Sequence, residues 1–360
     1  MKKTFKVLGI LFAVIILAAV IYVVYVFTAY YRLPDKLTLE VVRSGENLYF
    51  EEEARPETGK TYRIMTYNVG FGAYLPEYSF FMDGGKYSWA KDEESVLAAI
   101  SGAGELITEI NPDFALIQEV DIDGTRSYHI NELQLLNQFI KGYYYDFAQN
   151  YDSPFLFFPP WQPHGANKAG IVTYSKSEIT DTMRRSFPIS KSFSKLIDLD
   201  RCYSISRIPL KDGETSLCLY NVHLSAYEKK GNIREEQLAM LMEDMRSDYQ
   251  NGNYVICGGD FNHDLKAASD AEATVSWAYP LPRESLPEGF SLPLDSLGNK
   301  EETHNSSRNA DAPYDPATAY TVTLDGIIIS DNIKAVSYDC PDLGYRFSDH
   351  DPVIMEFILE

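Results

Sequence analysis

Apolar positions recur along this chain with three spacings, and each spacing predicts a different element. Residues 7–27 form one unbroken run of about 21 uncharged residues, roughly 30 Å of helix at 1.5 Å per residue, which matches a bilayer's hydrocarbon core. That run predicts a membrane span. Short apolar runs at 64–67, 114–117, 203–210, 217–222, 254–257 and 353–358 read as strands. Between them the period lengthens to that of an amphipathic helix. Val96, Leu97, Ile100, Leu106, Ile107 and Ile110 form one stripe, stopped by Asn111-Pro112-Asp113. Ile130, Leu133, Leu136, Phe139 and Ile140 form a second, and Leu238, Leu241, Met242, Met245 and Tyr249 a third. These stripes face a core.

Asp212-Gly213, between two strand runs, is a hairpin signal, and hairpins mixed with helical crossovers predict mixed sheets. The organisation that follows is a membrane helix or signal anchor at 1–28, a tether at 29–60 and one catalytic domain at 61–360. Glu51, Glu52, Glu53, Arg55, Pro56 and Gly59 break periodicity in the tether, while residues 37–42 can add an outer strand. Segments 71–92, 153–168 and 278–315 are candidate substrate loops.

Charge sharpens this picture. The chain carries −20, and its first 28 residues hold only Lys2, Lys3 and Lys6, so the remainder carries −23. Such a surface repels polyanions at long range, which argues against a protein that holds nucleic acid by charge alone. The three lysines precede the apolar run and Arg32 and Lys36 follow it, so the positive-inside rule places the N-terminus in the cytoplasm and the domain outside the cell, as a single-pass protein of the cell membrane. A cleaved signal peptide is the rival reading. Cys202, Cys218, Cys257 and Cys340 show no metal-ligand or redox spacing, and no disulfide is assigned. No protein partner can be inferred.

The chemistry gathers beside the strand runs. Ser348-Asp349-His350-Asp351-Pro352 precedes the last run, and Gly258-Gly259-Asp260-Phe261-Asn262 follows the run at 254–257. Asn68, Gln118-Glu119 and His223 end three further runs. Singly, each reads as a turn or a cap; jointly, they read as a site presented by strand ends. Glu119 suits a hard cation, most simply Mg²⁺ with Mn²⁺ as the alternative. Asp260 is the candidate to orient or deprotonate an attacking water, with Asn262 holding water or phosphate through its amide. Arg201 can contact phosphate or serve a structural ion pair, and Lys168, Arg308 and Asn309 sit in candidate loops. No Gly-x-Ser-x-Gly elbow, His-Glu-x-x-His or Walker loop occurs.

In order, Tyr67-Asn68, Gln118-Glu119, Asn221-Val222-His223-Leu224, Gly259-Asp260-Phe261-Asn262, Leu324-Asp325-Gly326-Ile327 and Ser348-Asp349-His350-Asp351-Pro352 resemble the endonuclease/exonuclease/phosphatase superfamily. The resemblance spans residue 61 to the C-terminus. It implies a four-layered α/β sandwich, two central mixed sheets flanked by helices, and metal-dependent phosphoester hydrolysis. By the same resemblance Asn68 and Asp349 support the metal beside Glu119, directly or through water. Asp325 and His350 form a carboxylate–imidazole pair, in which the histidine serves as base or as phosphate-binding electrophile, and His223 stabilises the phosphorane or protonates the leaving oxygen.

Departures narrow the branch. Gly70 stands where apurinic-site endonucleases usually have Asp, Asn221 to Leu224 replace their Tyr-containing motif, and the Trp-Cys-Asp-Arg element of inositol polyphosphate phosphatases is missing at 323–326. The resemblance therefore points to the branch with deoxyribonucleases and sphingomyelinases. Three readings remain: an exported, membrane-tethered phosphoesterase, an extracellular nuclease of the same fold, and a silent phospho-ligand binding protein. A silent relative should have lost Glu119, Asp260 or His350, and none is lost. Tyr74, Tyr78, Phe80 and Phe81 in one loop, and Phe155, Phe157, Phe158 and Trp161 in another, are expected to line a cleft that prefers small or lipid phosphoesters to duplex DNA.

Overall fold

The structure is a computed structural model and describes residues 2–45, 55–189, 199–225, 233–267, 278–297 and 302–360. Helix α1 (Lys2–Ala29) precedes strands β1 (Val41–Arg43) and β2 (Thr61–Asn68). Then come α2 (Glu93–Ile110), β3 (Phe114–Gly124), α3 (Glu132–Phe139), β4 (Tyr144–Asp152), β5 (Asn167–Ser175) and β6 (Asp181–Ser186). The second half runs β7 (Cys202–Pro209), β8 (Ser216–His223), α4 (Ile233–Gln250), β9 (Tyr254–Asp260), β10 (Phe290–Ser291), α5 (Pro293–Ser296), β11 (Ser307–Arg308), β12 (Thr321–Val322), β13 (Asp325–Ser330), β14 (Ile333–Asp339) and β15 (Val353–Leu359).

Two mixed sheets result. The first orders its strands β1-β4-β5-β3-β2-β15-β14 and the second β10-β13-β9-β8-β7-β6. Parallel pairs occur where a helix makes the crossover: β2 with β3 through α2, and β8 with β9 through α4. Alternation along each strand sorts its side chains between layers. On β2 and β3, Ile64, Phe114 and Leu116 join the core between the sheets, with Leu217, Leu219, Ile256 and Ile328 from the other side. Their neighbours Met65, Tyr67, Ala115 and Ile117 turn outward to meet Val96, Ile100 and Ile107 of α2 and Leu136 of α3. On the far face Leu238, Leu241, Met242 and Met245 of α4 cover the second sheet. The order is therefore helix, sheet, sheet, helix.

Local signals set the boundaries. Asp92 caps α2 by accepting from the Ser95 backbone N–H, and the Ser95 hydroxyl accepts from the Asp92 N–H in return. Asn111 closes the helix in the left-handed region at φ 50°, just before Pro112. The Asp212-Gly213 turn joins β7 to β8, with Gly213 at φ 77°. The stretch expected as a tether is partly laid along the domain. Leu37 bridges to Arg184, Asp35 pairs with Arg185 at 3.0 Å, and Val41–Arg43 adds an antiparallel edge strand to β4, so the outer strand is shorter and later than residues 37–42. Residues 46–54, including Glu51 to Glu53, lie outside the described residues. All four cysteines are buried and free.

The space between the sheets holds polar pairs as well as apolar ones. Asp146 on β4 accepts from the Ser206 hydroxyl on β7 at 2.5 Å, and its other oxygen has no partner among the described residues. Burial pushes the Asp146 carboxyl up to about 7, against the lowering effect of Ser206. An acid raised in the folded state binds its proton more tightly there than in the unfolded chain, so stability falls as pH rises from about 4 towards 7. Asp146→Asn should remove that loss: chemical denaturation should find the variant more stable than the parent at pH 8, by about 1–3 kcal/mol, and little different at pH 4. Equal stability at pH 8 would contradict the assignment.

Candidate active site

Strand ends from both sheets meet at one rim. In the second sheet His223 of β8 lies opposite Asp260 of β9, and Asp260 lies opposite Asp325 of β13, so three chemical groups stand in one row by register alone. In the first sheet Asn68 ends β2 beside Gln118 of β3. Glu119 then reaches the site through an irregularity. The β3–β5 register shifts between Ile117 and Val120, and Glu119 takes φ 56°, so a residue due to point at the helices is redirected towards the cleft. Asp349 and His350 arrive on the turn before β15, held by the Ser348 hydroxyl, which donates to the Asn68 carbonyl at 2.8 Å.

All eight residues singled out in the sequence come together. Glu119, His223, Asp260, Asn262, Asp349 and His350 line the cleft, while Asn68 and Asp325 lie buried beneath it. The Asn68 amide donates to Glu119 Oε1 at 3.2 Å and to Asp260 Oδ2 at 3.1 Å, and its carbonyl oxygen accepts from the Gly70 N–H. Asp260 Oδ1 accepts the Asn262 backbone N–H at 2.8 Å, and the Asn262 side chain donates to the Leu224 carbonyl. His350 Nδ1 lies 2.6 Å from Asp325 Oδ2, which also accepts from the Ser306 hydroxyl. His223 Nε2 faces Asp260 at 3.6 Å and Glu119 at 3.8 Å.

Environment drives the two imidazoles apart. Burial disfavours the charged form of both. At His350 the carboxylates of Asp325, Asp349 and Asp260 outweigh it and hold the ring's pKa well above the usual range. At His223 burial is reinforced by Arg201, His350 and Arg126, and its pKa falls well below. The surroundings thus favour the charged form of His350 and the neutral form of His223. Burial, with Asp325 adding to it, raises Asp260 to about 7 although His350 pulls the other way. Burial also raises Asp349 to about 6 against His350 and Arg308.

Several neighbours were not legible in advance. Ser306 orients Asp325, and the Ser307 hydroxyl sits 3.4 Å from His350 Nε2; short polar loop residues give no periodic signal. Arg126, buried on the cleft wall, is committed to Asp121 by two hydrogen bonds at 2.7 and 3.0 Å. Arg308 lines the cleft but donates to the Tyr74 and Leu75 carbonyls. Arg201 lines it too, is 7% exposed, and its Nε and Nη1 meet no partner among the described residues. That is the environment of an anion-binding group. Lys168 is elsewhere, 3.8 Å from Asp152. Of the expected aromatics only Tyr74 and Phe80 line the cleft; Tyr78 is buried against Tyr87, and Phe155, Phe157, Phe158 and Trp161 lie outside it, with Phe155 and Phe157 held by Tyr22 and Tyr25 of α1.

A two-sheet sandwich with acids, amides and imidazoles at its strand ends is a phosphoesterase-class architecture. The chain belongs to the endonuclease/exonuclease/phosphatase family, which its residues 65–350 match. Solved structures share the fold. An endonuclease/exonuclease/phosphatase from Beutenbergia cavernae DSM 12333 is 15% identical with a TM-score of 0.55, covering 83% of this chain and 72% of its own. The Bacteroides vulgatus protein of the same description is 16% identical with a TM-score of 0.54, covering 84% and 100%. D. rerio TDP2, solved with a single-strand DNA product, is 17% identical with a TM-score of 0.53, covering 82% and 98%. No curated protein matches the chain in sequence.

The donor set fits the divalent cation typical of this family. Glu119, Asp260 and Asp349 bring hard carboxylate oxygens to one cleft, and the nearby Arg126 and Arg308 are spent on other partners. Asp325 spends its Oδ2 on His350 and Ser306, while its buried Oδ1 has no partner among the described residues.

Gly259 makes the row possible. A Cβ there would stand 2.0 Å from the Val222 carbonyl oxygen, at φ 150°, so only glycine lets β9 close on β8 and bring Asp260 opposite His223. Gly259→Ala should lower stability by about 2 kcal/mol or more in a denaturant titration. A parent-like midpoint would show that the strands can separate there freely.

Proposed function

We propose that this chain is a metal-dependent phosphoester hydrolase, tethered to the cell membrane by α1 with its domain at 61–360 outside, and that it attacks phosphorus with an activated water. The observation that carries this reading is the meeting of Glu119, Asp260 and Asp349 in one cleft with a buried Arg201 whose Nε and Nη1 have no partner among the described residues. Carboxylates lining one buried cleft call for a cation, and guanidinium nitrogens without a partner call for an anion. A metal phosphoester complex supplies both.

Glu119 and Asp349, with Asn68 directly or through water, would hold Mg²⁺ or Mn²⁺, which when bound neutralises the phosphoryl oxygens and offsets charge growing in the transition state. Asp260 is the group to take the water's proton: its pKa near 7 suits a general base, and the Asn262 N–H fixes its other oxygen. The His350 cation, oriented by Asp325, presents its Nε2 side to the cleft as an electrostatic partner for a phosphoryl oxygen. Neutral His223 hydrogen-bonds the phosphorane or the leaving oxygen. Arg201 binds phosphate.

The full chain, purified in detergent, should lose turnover in EDTA and regain it with Mg²⁺ or Mn²⁺; full activity after thorough metal stripping would refute the reading. Glu119→Ala, Asp260→Ala and His350→Ala should each lower kcat by at least ~10²-fold in folded protein. Arg201→Ala should act mainly on KM, by about tenfold. Plasmid cleavage lost in Glu119→Ala, and unmatched by any lipid or nucleotide phosphoester, would make the chain a nuclease instead. Protease added to intact cells should remove the domain and spare the first residues, whereas full protection of the domain would reverse the orientation.

A further inference from the structure

The loop at 153–164, between β4 and β5, carries large rings on the outside of the protein. Phe157 is 59% exposed, Phe158 64% and Trp161 73%. The loop's rings fall in two successive pairs, with Phe155 and Phe157 centroids 6.4 Å apart and Phe158 and Trp161 6.5 Å apart. Clustered apolar surface of this kind marks a place where something docks.

One end of this cluster is tied to α1. The Tyr22 hydroxyl donates to the Phe155 carbonyl at 3.1 Å and accepts from the Phe157 N–H at 3.0 Å, and the Tyr25 hydroxyl accepts from the Phe155 N–H at 3.1 Å. The Tyr22 ring also packs edge-on against Phe157. Tyr22 lies roughly 7 Å along the helix before Phe27, the last residue of the uncharged run. A helix that spans a bilayer would therefore hold the end of this loop that carries Phe155 and Phe157 at the inner edge of the interfacial layer. Three backbone groups that such a depth strips of water already have tyrosine partners, which removes the usual penalty against loops there. The other end of the cluster reaches the active site: the Phe158 ring lies 6.0 Å from Phe81, whose neighbour Met82 lines the cleft and is 61% exposed.

We infer that the loop at 153–164 is a membrane-docking element, whose rings enter the interfacial layer of the leaflet on the domain's side and hold the mouth of the cleft at head-group level. Aromatic rings are the side chains that favour this layer, and here they continue the surface of the span itself. The inference rests on reading α1 as a span and the cleft as a phosphoester site, and it names the substrate class: a lipid phosphoester presented by the same membrane.

The test uses the full chain in phosphatidylcholine vesicles. Lipids brominated near the head-group end of their acyl chains should quench a tryptophan emission component that Trp161→Phe lacks, and aqueous iodide should leave that component unquenched. Equal emission in brominated and plain vesicles, with free access for iodide, would overturn the docking. In a second arm the double variant Phe157→Ser, Trp161→Ser should lose about tenfold in kcat/KM on a bilayer-embedded fluorescent phospholipid and keep its activity on water-soluble bis(p-nitrophenyl) phosphate. Undiminished lipid turnover, or an equal loss on both substrates, would also overturn it. An unaltered chain inactive on both substrates would defeat the hydrolase reading, and the bromolipid result would still decide the docking by itself.

Discussion

The buried amide pair between Gln118 and Asn221 holds the two sheets in the one alignment on which the site depends. Gln118 donates to Asn221 Oδ1 at 2.8 Å, and Asn221 donates onward to the Val172 carbonyl at 2.9 Å, so β8 is fastened to β3 and β5 across the sandwich. Both side chains are fully buried, where an unpaired amide costs about 1–3 kcal/mol. Apolar packing between sheets tolerates sliding; a directional pair with so high a cost for misalignment does not. Glu119 follows Gln118 and His223 lies two residues beyond Asn221 on the same face, so the alignment that satisfies the amides also brings the acid and the imidazole within 3.8 Å.

Above that bridge the site is a study in charge placed where water is scarce. His350 and His223 flank Asp260, and burial disfavours the charged form of both; at His350 three carboxylates outweigh it, whereas at His223 arginines and the other histidine add to it. Identical side chains acquire opposite roles from the elements that surround them. Burying so many acids is unfavourable for stability alone, and the proposed cation and phosphoryl group would offset that cost.

The N-terminal region belongs to the same logic. Residues 30–45 run along the sandwich and not away from it, through Leu37, Asp35 and the edge strand Val41–Arg43. A laid-down segment transmits the orientation of α1 to the domain, so α1, the aromatic loop and the cleft mouth can keep a constant relation to one another. A freely jointed tether would average that relation away.

The layers of this protein were legible in its sequence because period and burial are linked locally. The stripe from Val96 to Ile110 could only be a helix with one covered face, the alternation at Ile64, Met65 and Tyr67 only a strand between two layers, and the six motifs at strand ends named Asn68, Glu119, His223, Asp260, Asn262, Asp325, Asp349 and His350 as candidates. Contacts between distant segments were not legible. The bulge that turns Glu119 depends on how β3 meets β5, the orientation of Asp325 depends on Ser306 coming alongside, and the burial of Arg201, with Nε and Nη1 lacking a partner among the described residues, depends on how the cleft wall closes over it. The aromatic loop made the limit plain: composition marked Phe157 and Trp161 as apolar and unusual, but only the tertiary structure decided that Phe157 meets Tyr22 of α1 and that neither ring lines the cleft. Side-chain chemistry and periodicity are properties of neighbours in the chain, whereas partners, charge state and exposure are set by neighbours in space.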